Sequence, residues 1–241
     1  MPQCLAQDSD ASGSIPAGWL RRNRAWLAVG LLAAVVLFTR SWEGDLHGDA
    51  VHYAAVAKNI LSTGDWMTLY DGPGLPYGNK PPLMIWLVAI NFRLFGPSTY
   101  AAVFWSCLFG LGACLLTYAV GERLFGPAAG ILAGCLTATF SGVLTNFVEL
   151  RLDSAVTFCT VLAVYAALRA AEGPQPRWLL LAGLAGGLGM MVKPSAAAFA
   201  ALLTVLLVAV RRPRLLVHPS LFAAAGLALL IAGPWHLAML S

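Results

Sequence analysis

The polar and apolar positions of this chain fall in long blocks. Apolar runs cover residues 25–38, 82–95, 101–120, 127–147, 155–168, 178–192, 196–210 and 221–240. A helix that crosses a membrane needs about 20 apolar residues, because no water in the bilayer can satisfy the backbone. Seven of the blocks are therefore read as spans, the short ones tilted or lengthened by polar ends. The block at 82–95 stands apart, since it follows a polar stretch and stops at Gly96–Pro97. The pattern predicts an all-α integral membrane protein, a polytopic helical bundle.

Between the first two blocks lies a polar island. Residues 44–82 carry Asp45, His47, Asp49, His52, Lys58, Asp65, Asp71 and Lys80. Within it, residues 50–61 read as an amphipathic helix, with Tyr53, Val56, Ala57, Ile60 and Leu61 on one face at helical spacing. It is too short to span and is expected to lie along the interface. Gly64 supplies a stop, residues 71–79 are rich in turn formers, and Pro81 and Pro82 suit the first turn of a second interfacial helix.

Composition agrees. The chain is 59% hydrophobic and 11% charged, with mean hydropathy +0.75, against about 45–50% apolar in soluble domains. Cys4, Cys107, Cys114, Cys135 and Cys159 are odd in number and form no CxxC pair, so neither a disulfide framework nor a zinc site is indicated. A net charge of +4 does not suggest nucleic acid. Residues 1–24 read as a disordered cytoplasmic tail and 25–241 as the membrane domain. No small-residue cleavage site follows the first apolar block, so a retained span is expected rather than a cleaved signal.

Basic residues give the orientation. With the N-terminus in the cytoplasm, Arg21, Arg22, Arg24, Arg123, Arg169, Arg177, Arg211, Arg212 and Arg214 lie inside. Arg40, Lys58, Lys80, Arg93, Arg151 and Lys193 lie outside. The same alternation brings Asp49, Lys80, Glu149, Arg151, Asp153 and Lys193 to one side of the membrane.

Each of these has a structural and a functional reading. Asp49 stands before the amphipathic helix, as an N-cap or a general base. Lys80 precedes a helix start, as a lysine snorkelling to the interface or a phosphate contact whose neighbouring prolines remove amide donors. Asp153 caps a helix, pairs with Arg151 or serves a site. Residues two apart on a helix do not face each other, so that pair is not assured. Lys193, beside Pro194, is an ordinary loop charge or a second phosphate contact. His52 lies one helical turn past Asp49, which with His47 raises a divalent metal, but two ligands make no strong site. No other cofactor is suggested. Asp65 and Asp71 read as turn residues.

The ordered motifs "GDAVHYAAVAKNILSTGDW", "YGNKPPLMIWLVAINFRLFG", "ELRLD", "GLGMMVKPSA" and "GPWH" resemble the lipid-linked-sugar glycosyltransferases of the GT-C fold, near the aminoarabinose lipid A transferase and protein O-mannosyltransferase group. The resemblance spans about residues 25–240. It implies a polyprenyl-phosphate-linked sugar as donor, a hydroxyl or phosphate on a lipid, protein or glycan as acceptor, and a site on the outer face of a bacterial inner membrane. It also implies roles: Asp49 as catalytic base, Lys80 on the carrier phosphate, Asp153 as the second-loop acid, and Lys193 with Arg151 as further basic contacts. Ala50 replaces an acid that often follows the first one, and Asn79 replaces a common Glu before the lysine. Family members are usually much longer, so a fragment, a split protein or a degenerate copy is expected. A non-catalytic paralogue binding polyprenyl phosphate or a partner subunit is the alternative. A transporter is disfavoured, because its charges would sit near the midplane.

Overall fold

The computed structural model describes residues 17–41 and 45–239. Residues 1–16 of the tail expected over residues 1–24 lie outside the described residues. The first helix, α1, runs Ala17–Arg40, so it begins well before the expected boundary at residue 25. Leu and Arg are good helix formers, and the arginines extend the helix rather than ending it.

The polar island folds as expected in outline. Helix α2 covers Asp49–Thr63 and buries Ala50, Tyr53, Val56, Ala57 and Ile60. It stops at Gly64, whose left-handed backbone (φ 74, ψ 0) lets its N–H reach the Ile60 carbonyl. A short antiparallel hairpin follows, β1 (Tyr70–Gly72) with β2 (Leu75–Pro76). Helix α3, Leu83–Phe95, completes the pair of short helices beside the bundle.

The bundle proper consists of α4 (Thr99–Phe125), α5 (Pro127–Thr139), α6 (Ser141–Val148), α7 (Leu152–Glu172), α8 (Trp178–Met190), α9 (Pro194–Arg211) and α10 (Pro219–Ala238). A 3₁₀ turn at Pro213–Val217 joins the last two. Helix α4 opens with Ser98 accepting from the Ala101 N–H, an N-cap of the usual kind.

Among the described residues, four helices are long and apolar enough to cross a membrane: Asn23–Arg40, α4, α7 and α10. The pair α5 and α6 makes a fifth if counted as one broken span. The seven expected crossings are thus not all met by length. Residues 127–147, read as one span, bend by 61° at Phe140, where a Ser141–Gly142 pair weakens the helix. Helix α8 has only 13 residues, because the segment before Pro194 turns into the polar region instead of continuing. The described apolar part of α9, Ala197–Arg211, is also short.

The core that matters here joins α2, α3, α4 and α7. Val56, Ile60, Met84, Ile85, Val88, Ala102, Leu150 and Val192 are at most 1% exposed and pack as one cluster. Each large member contributes roughly 1.5–3 kcal/mol by burial. Two indoles pin the island: Trp86 Nε1 of α3 donates to the Trp66 carbonyl at 2.6 Å, and Trp235 Nε1 of α10 to that of Met67 at 3.1 Å.

Candidate active site

A cleft of about 390 Å³ opens where the island meets the bundle. It is lined by His47, Gly48, Asp49, Ala50, Tyr53, Lys80, Glu149, Arg151, Leu152, Asp153 and Lys193. The five residues singled out from the sequence, Asp49, Lys80, Arg151, Asp153 and Lys193, therefore come together from segments far apart in the chain.

Each is positioned by local structure. Asp49 is not the N-cap. Gly48 holds that position with φ 54 and ψ −125, a backbone that side-chain-bearing residues rarely adopt. Asp49 is the first helical residue, exposed, with no capping bond from Gly48. Its carboxylate faces Tyr53, one turn on. Burial chiefly, then the charges of Asp49 and Asp153 and a hydrogen bond with Asp49, hold the Tyr53 proton above its ordinary range, against the opposing effect of Arg151.

Lys80 sits in the stretch between the hairpin and α3. Among the described residues no hydrogen bond or ion pair holds its ammonium. The helix after it is tied to the last part of the site, since the Leu83 N–H donates to the Met191 carbonyl at 3.0 Å. Lys193 follows Met191 and the fully buried Val192, with its own N–H on the Gly189 carbonyl at 2.8 Å. Lys80 and Lys193 are thus carried by two backbones that bond each other.

The third contribution is the turn into α7. Ser106 of α4, fully buried, lies 3.4 Å from both the N and the O of Arg151, donating to the carbonyl and accepting from the N–H. The Arg151–Asp153 pair does not form. Arg151 Nε instead donates to Glu149 Oε2 at 2.8 Å, a bond that raises the guanidinium pKa further. Asp153 caps nothing with its side chain. It accepts from Lys193 Nζ at 3.5 Å, both side chains being partly exposed (48% and 40%). At that exposure the pair adds little stability.

The histidines diverge. His47 lines the cleft, whereas His52 turns away to Asp71 Oδ1 at 3.3 Å and packs on the Tyr77 ring. Asp71 is therefore more than a turn residue. Asp65 is one: its Oδ1 accepts from the Met67 and Thr68 N–H groups, which holds its carboxyl below the usual range. Among the described residues no three metal-binding side chains gather where an ion would sit.

Two members of the site were not singled out. Tyr53 was read only as a core residue of the amphipathic face; its spacing of four from Asp49 was the available signal. Glu149 falls with the other charged residues of the cleft, and its spacing to Arg151 does not announce their ion pair.

Beside the cleft runs a second space of about 410 Å³ between α7 and α9. Val156, Thr160, Val161, Phe199 and Leu203 make it mostly apolar, and Lys193 lines both spaces.

Known proteins resemble this chain. The chain is 36% identical over 230 residues to undecaprenyl phosphate-alpha-4-amino-4-deoxy-L-arabinose arabinosyl transferase 1 of Sodalis glossinidius, covering 89% of this chain and 40% of that protein. The corresponding transferase of Pseudomonas aeruginosa (strain UCBPP-PA14) is 30% identical over 236 residues, covering 91% and 41%. The chain spans about two fifths of the length of the curated relatives it matches. ArnT from Cupriavidus metallidurans superposes with a TM-score of 0.74 in the apo state and 0.70 when bound to undecaprenyl phosphate, at 20% identity. The apo chain is covered to 42% by 90% of this one. That likeness shows the fold, and the GT-C-like bundle expected from the motifs is the one observed. The family described as dolichyl-phosphate-mannose-protein mannosyltransferase matches residues 79–237, and the chain belongs to that family.

Proposed function

We propose that this chain forms the catalytic part of a membrane glycosyltransferase that moves a sugar from a polyprenyl-phosphate carrier to an acceptor hydroxyl. One observation supports the reading most: a carboxylate and unpaired or re-aimable cations from separate loops share one cleft, beside an apolar groove. A lipid phosphate with a sugar attached needs that combination.

In the proposed reaction, Asp49 takes the proton of the acceptor hydroxyl as its oxygen attacks the anomeric carbon. The bond from that carbon to the phosphate oxygen breaks, and the phosphate departs with the electron pair. Lys80, which has no competing partner among the described residues, offsets the developing charge. Lys193 adds a second cation, held in place by Asp153, and Arg151 a third from its Glu149 pair. The apolar carrier chain follows the groove between α7 and α9. Family likeness and the distribution of arginines support a bacterial inner membrane, with the N-terminus in the cytoplasm and the cleft facing outward.

The test is Asp49→Asn in the full-length protein, with transfer from an undecaprenyl-phosphate sugar as readout. Loss of a general base predicts a drop of roughly a hundred- to ten-thousandfold in turnover, with carrier binding kept. Unchanged turnover removes Asp49 from the mechanism. Carrier binding with no transfer by the unsubstituted protein supports the accessory reading instead.

A further inference from the structure

The opposite end of the bundle has no part in that chemistry. Helix α7 leaves the cleft at Leu152 and ends at Glu172, 21 residues long; at the helical rise this is about 30 Å, the thickness of a hydrocarbon core. Helix α9 runs the same way, from Pro194 to Arg211. Arg123, Arg169, Arg177, Arg211, Arg212 and Arg214 therefore gather at the end away from Asp49. Among the described residues the acids at this end are Glu122 and Glu172, and both are engaged. Glu172 accepts from Arg123 Nη1 at 2.9 Å, and Glu122 from the Tyr118 hydroxyl at 2.9 Å. Arg169 lies 4.4 Å over the Trp178 ring, and Arg212 Nη1 donates to the Ala170 and Gly173 carbonyls at 3.2 and 2.6 Å. Arg177, which donates to the Gln175 side chain at 3.0 Å, is exposed, as are Arg211 and Arg214.

Beneath this basic rim lies an apolar cavity of about 330 Å³ between α8, α9 and α10. Leu179, Ala182, Ala201, Val205, Phe222 and Ala225 are among its walls. Rim and cavity are one construction. Arg212 fastens the turn after α9 to the end of α7. Leu215 of that turn is buried in one cluster with Leu179 and Ala224, which also line the cavity. Arg177 precedes Leu179 by two residues. The cavity is open at its outer side, where Phe222 is 66% and Val205 43% exposed. Val210 and Val217 stand beside the exposed arginines at 80% and 79% exposure. Exposed valine next to exposed arginine suits the boundary between headgroups and acyl chains, and a guanidinium fork suits a phosphate. From this arrangement we propose that the end of the bundle away from the cleft binds an anionic phospholipid, its phosphate among Arg177, Arg211 and Arg214 and one acyl chain in the cavity. The excess positive charge selects the headgroup and the apolar walls select a chain. A soluble phosphate lacks the chain, and a zwitterionic lipid carries its own cation. In the orientation proposed above this is the cytoplasmic leaflet, whose surface is negative.

The test uses the full-length protein in detergent micelles, with bound lipid counted by native mass spectrometry. Dioleoylphosphatidylglycerol is titrated beside dioleoylphosphatidylcholine, which has the same chains, and glycerol 3-phosphate, which has none. The phosphatidylglycerol is expected to be retained saturably and the other two not. One basic side chain near an anionic surface is worth about fivefold in affinity. Arg211→Gln and Arg214→Gln should each weaken retention by that factor, and the two together by about twenty-five-fold. Ala201→Phe narrows the cavity from the α9 side and should weaken retention with the rim intact; its melting temperature, measured in parallel, checks that it is folded. Equal retention of phosphatidylcholine, or unchanged affinity in the arginine pair or in folded Ala201→Phe, overturns the proposal. So does retention of no lipid at all, which would mean that another part of the chain or a second copy fills the cavity. Loss of retention in Lys80→Met would place the lipid at the cleft and overturn it as well. Asp49→Asn, which would abolish transfer, is expected to leave retention intact, so the two readings fail separately.

Discussion

Asp49 and Tyr53 are four residues apart on α2, and their side chains form the smallest working unit of the cleft. Because burial and two nearby carboxylates hold its proton, Tyr53 remains a donor at every pH near neutrality. Tyr53→Phe is therefore expected to lower turnover about three- to tenfold, through loss of a hydrogen bond to a partly hydrated carboxylate, and to leave carrier KM unchanged. Steady-state kinetics check this. The same tyrosine has a pH signature. Its folded pKa lies above the ordinary value of 10.0, so its contribution is fully present below pH 10 and is lost as pH rises through the folded value. Thermal unfolding midpoints should fall above pH 10, and fall less in Tyr53→Phe. Asp153 needs a different readout, because it touches Lys193 rather than Asp49. If its task is to aim the lysine, Asp153→Asn raises carrier KM with little change in kcat. It should also cost less than about 1 kcal/mol of stability, since the pair is exposed. A large drop in kcat alone would instead make Asp153 a second acid or base.

At the scale of elements, the site depends on helices that approach closely. Helix α8 carries Gly183, Gly186 and Gly187 toward α10, the small-residue packing that lets membrane helices touch along their backbones. A Cβ at Gly183 would clash with the Ala224 carbonyl oxygen and come within 2.7 Å of the Ala224 Cα, both backbone atoms that cannot yield. At Gly186 the nearest atom is the Ala228 Cβ at 4.0 Å, an ordinary contact. Gly183→Ala is thus expected to cost about 1–3 kcal/mol by overpacking, seen as a lower melting temperature in detergent, while Gly186→Ala is neutral or slightly stabilising. The displacement should also reach the site. The C-terminal end of α8 leads through Met191, which accepts the α3 bond, to Lys193. Gly183→Ala should therefore weaken carrier binding although it lies far from the cleft.

At the scale of the whole molecule, the sequence made some features readable and hid others for definite reasons. The amphipathic face of α2 was visible because one side of it packs on protein; Tyr53, Val56, Ala57 and Ile60 are buried as their spacing indicates. The grouping of Asp49, Lys80, Arg151, Asp153 and Lys193 was visible because each charge follows or precedes an apolar block, so that all of them fall at block ends. Hidden were the partners, since Arg151–Glu149 and Lys193–Asp153 depend on backbone turns and on contacts 40 residues apart. Hidden too were the break at Phe140 and the short α8, because hydropathy records apolar length and not where a helix bends. The groove between α7 and α9 could not be read at all, for it exists only where two helices distant in sequence come side by side. Its union with the cleft at Lys193 yields the prediction that tests the molecule as one device. If the carrier phosphate sits among the lysines and its apolar chain in the groove, the two ends can be separated by substitution. Thr160→Trp fills the groove from the α7 side. It should raise KM for a long polyprenyl carrier and leave a short-chain analogue unaffected, because only the long chain reaches that depth. Lys80→Met should weaken both carriers alike. Equal effects of Thr160→Trp on the two carriers would mean that the chain lies elsewhere, and the cleft and the groove would then be neighbours without a common ligand.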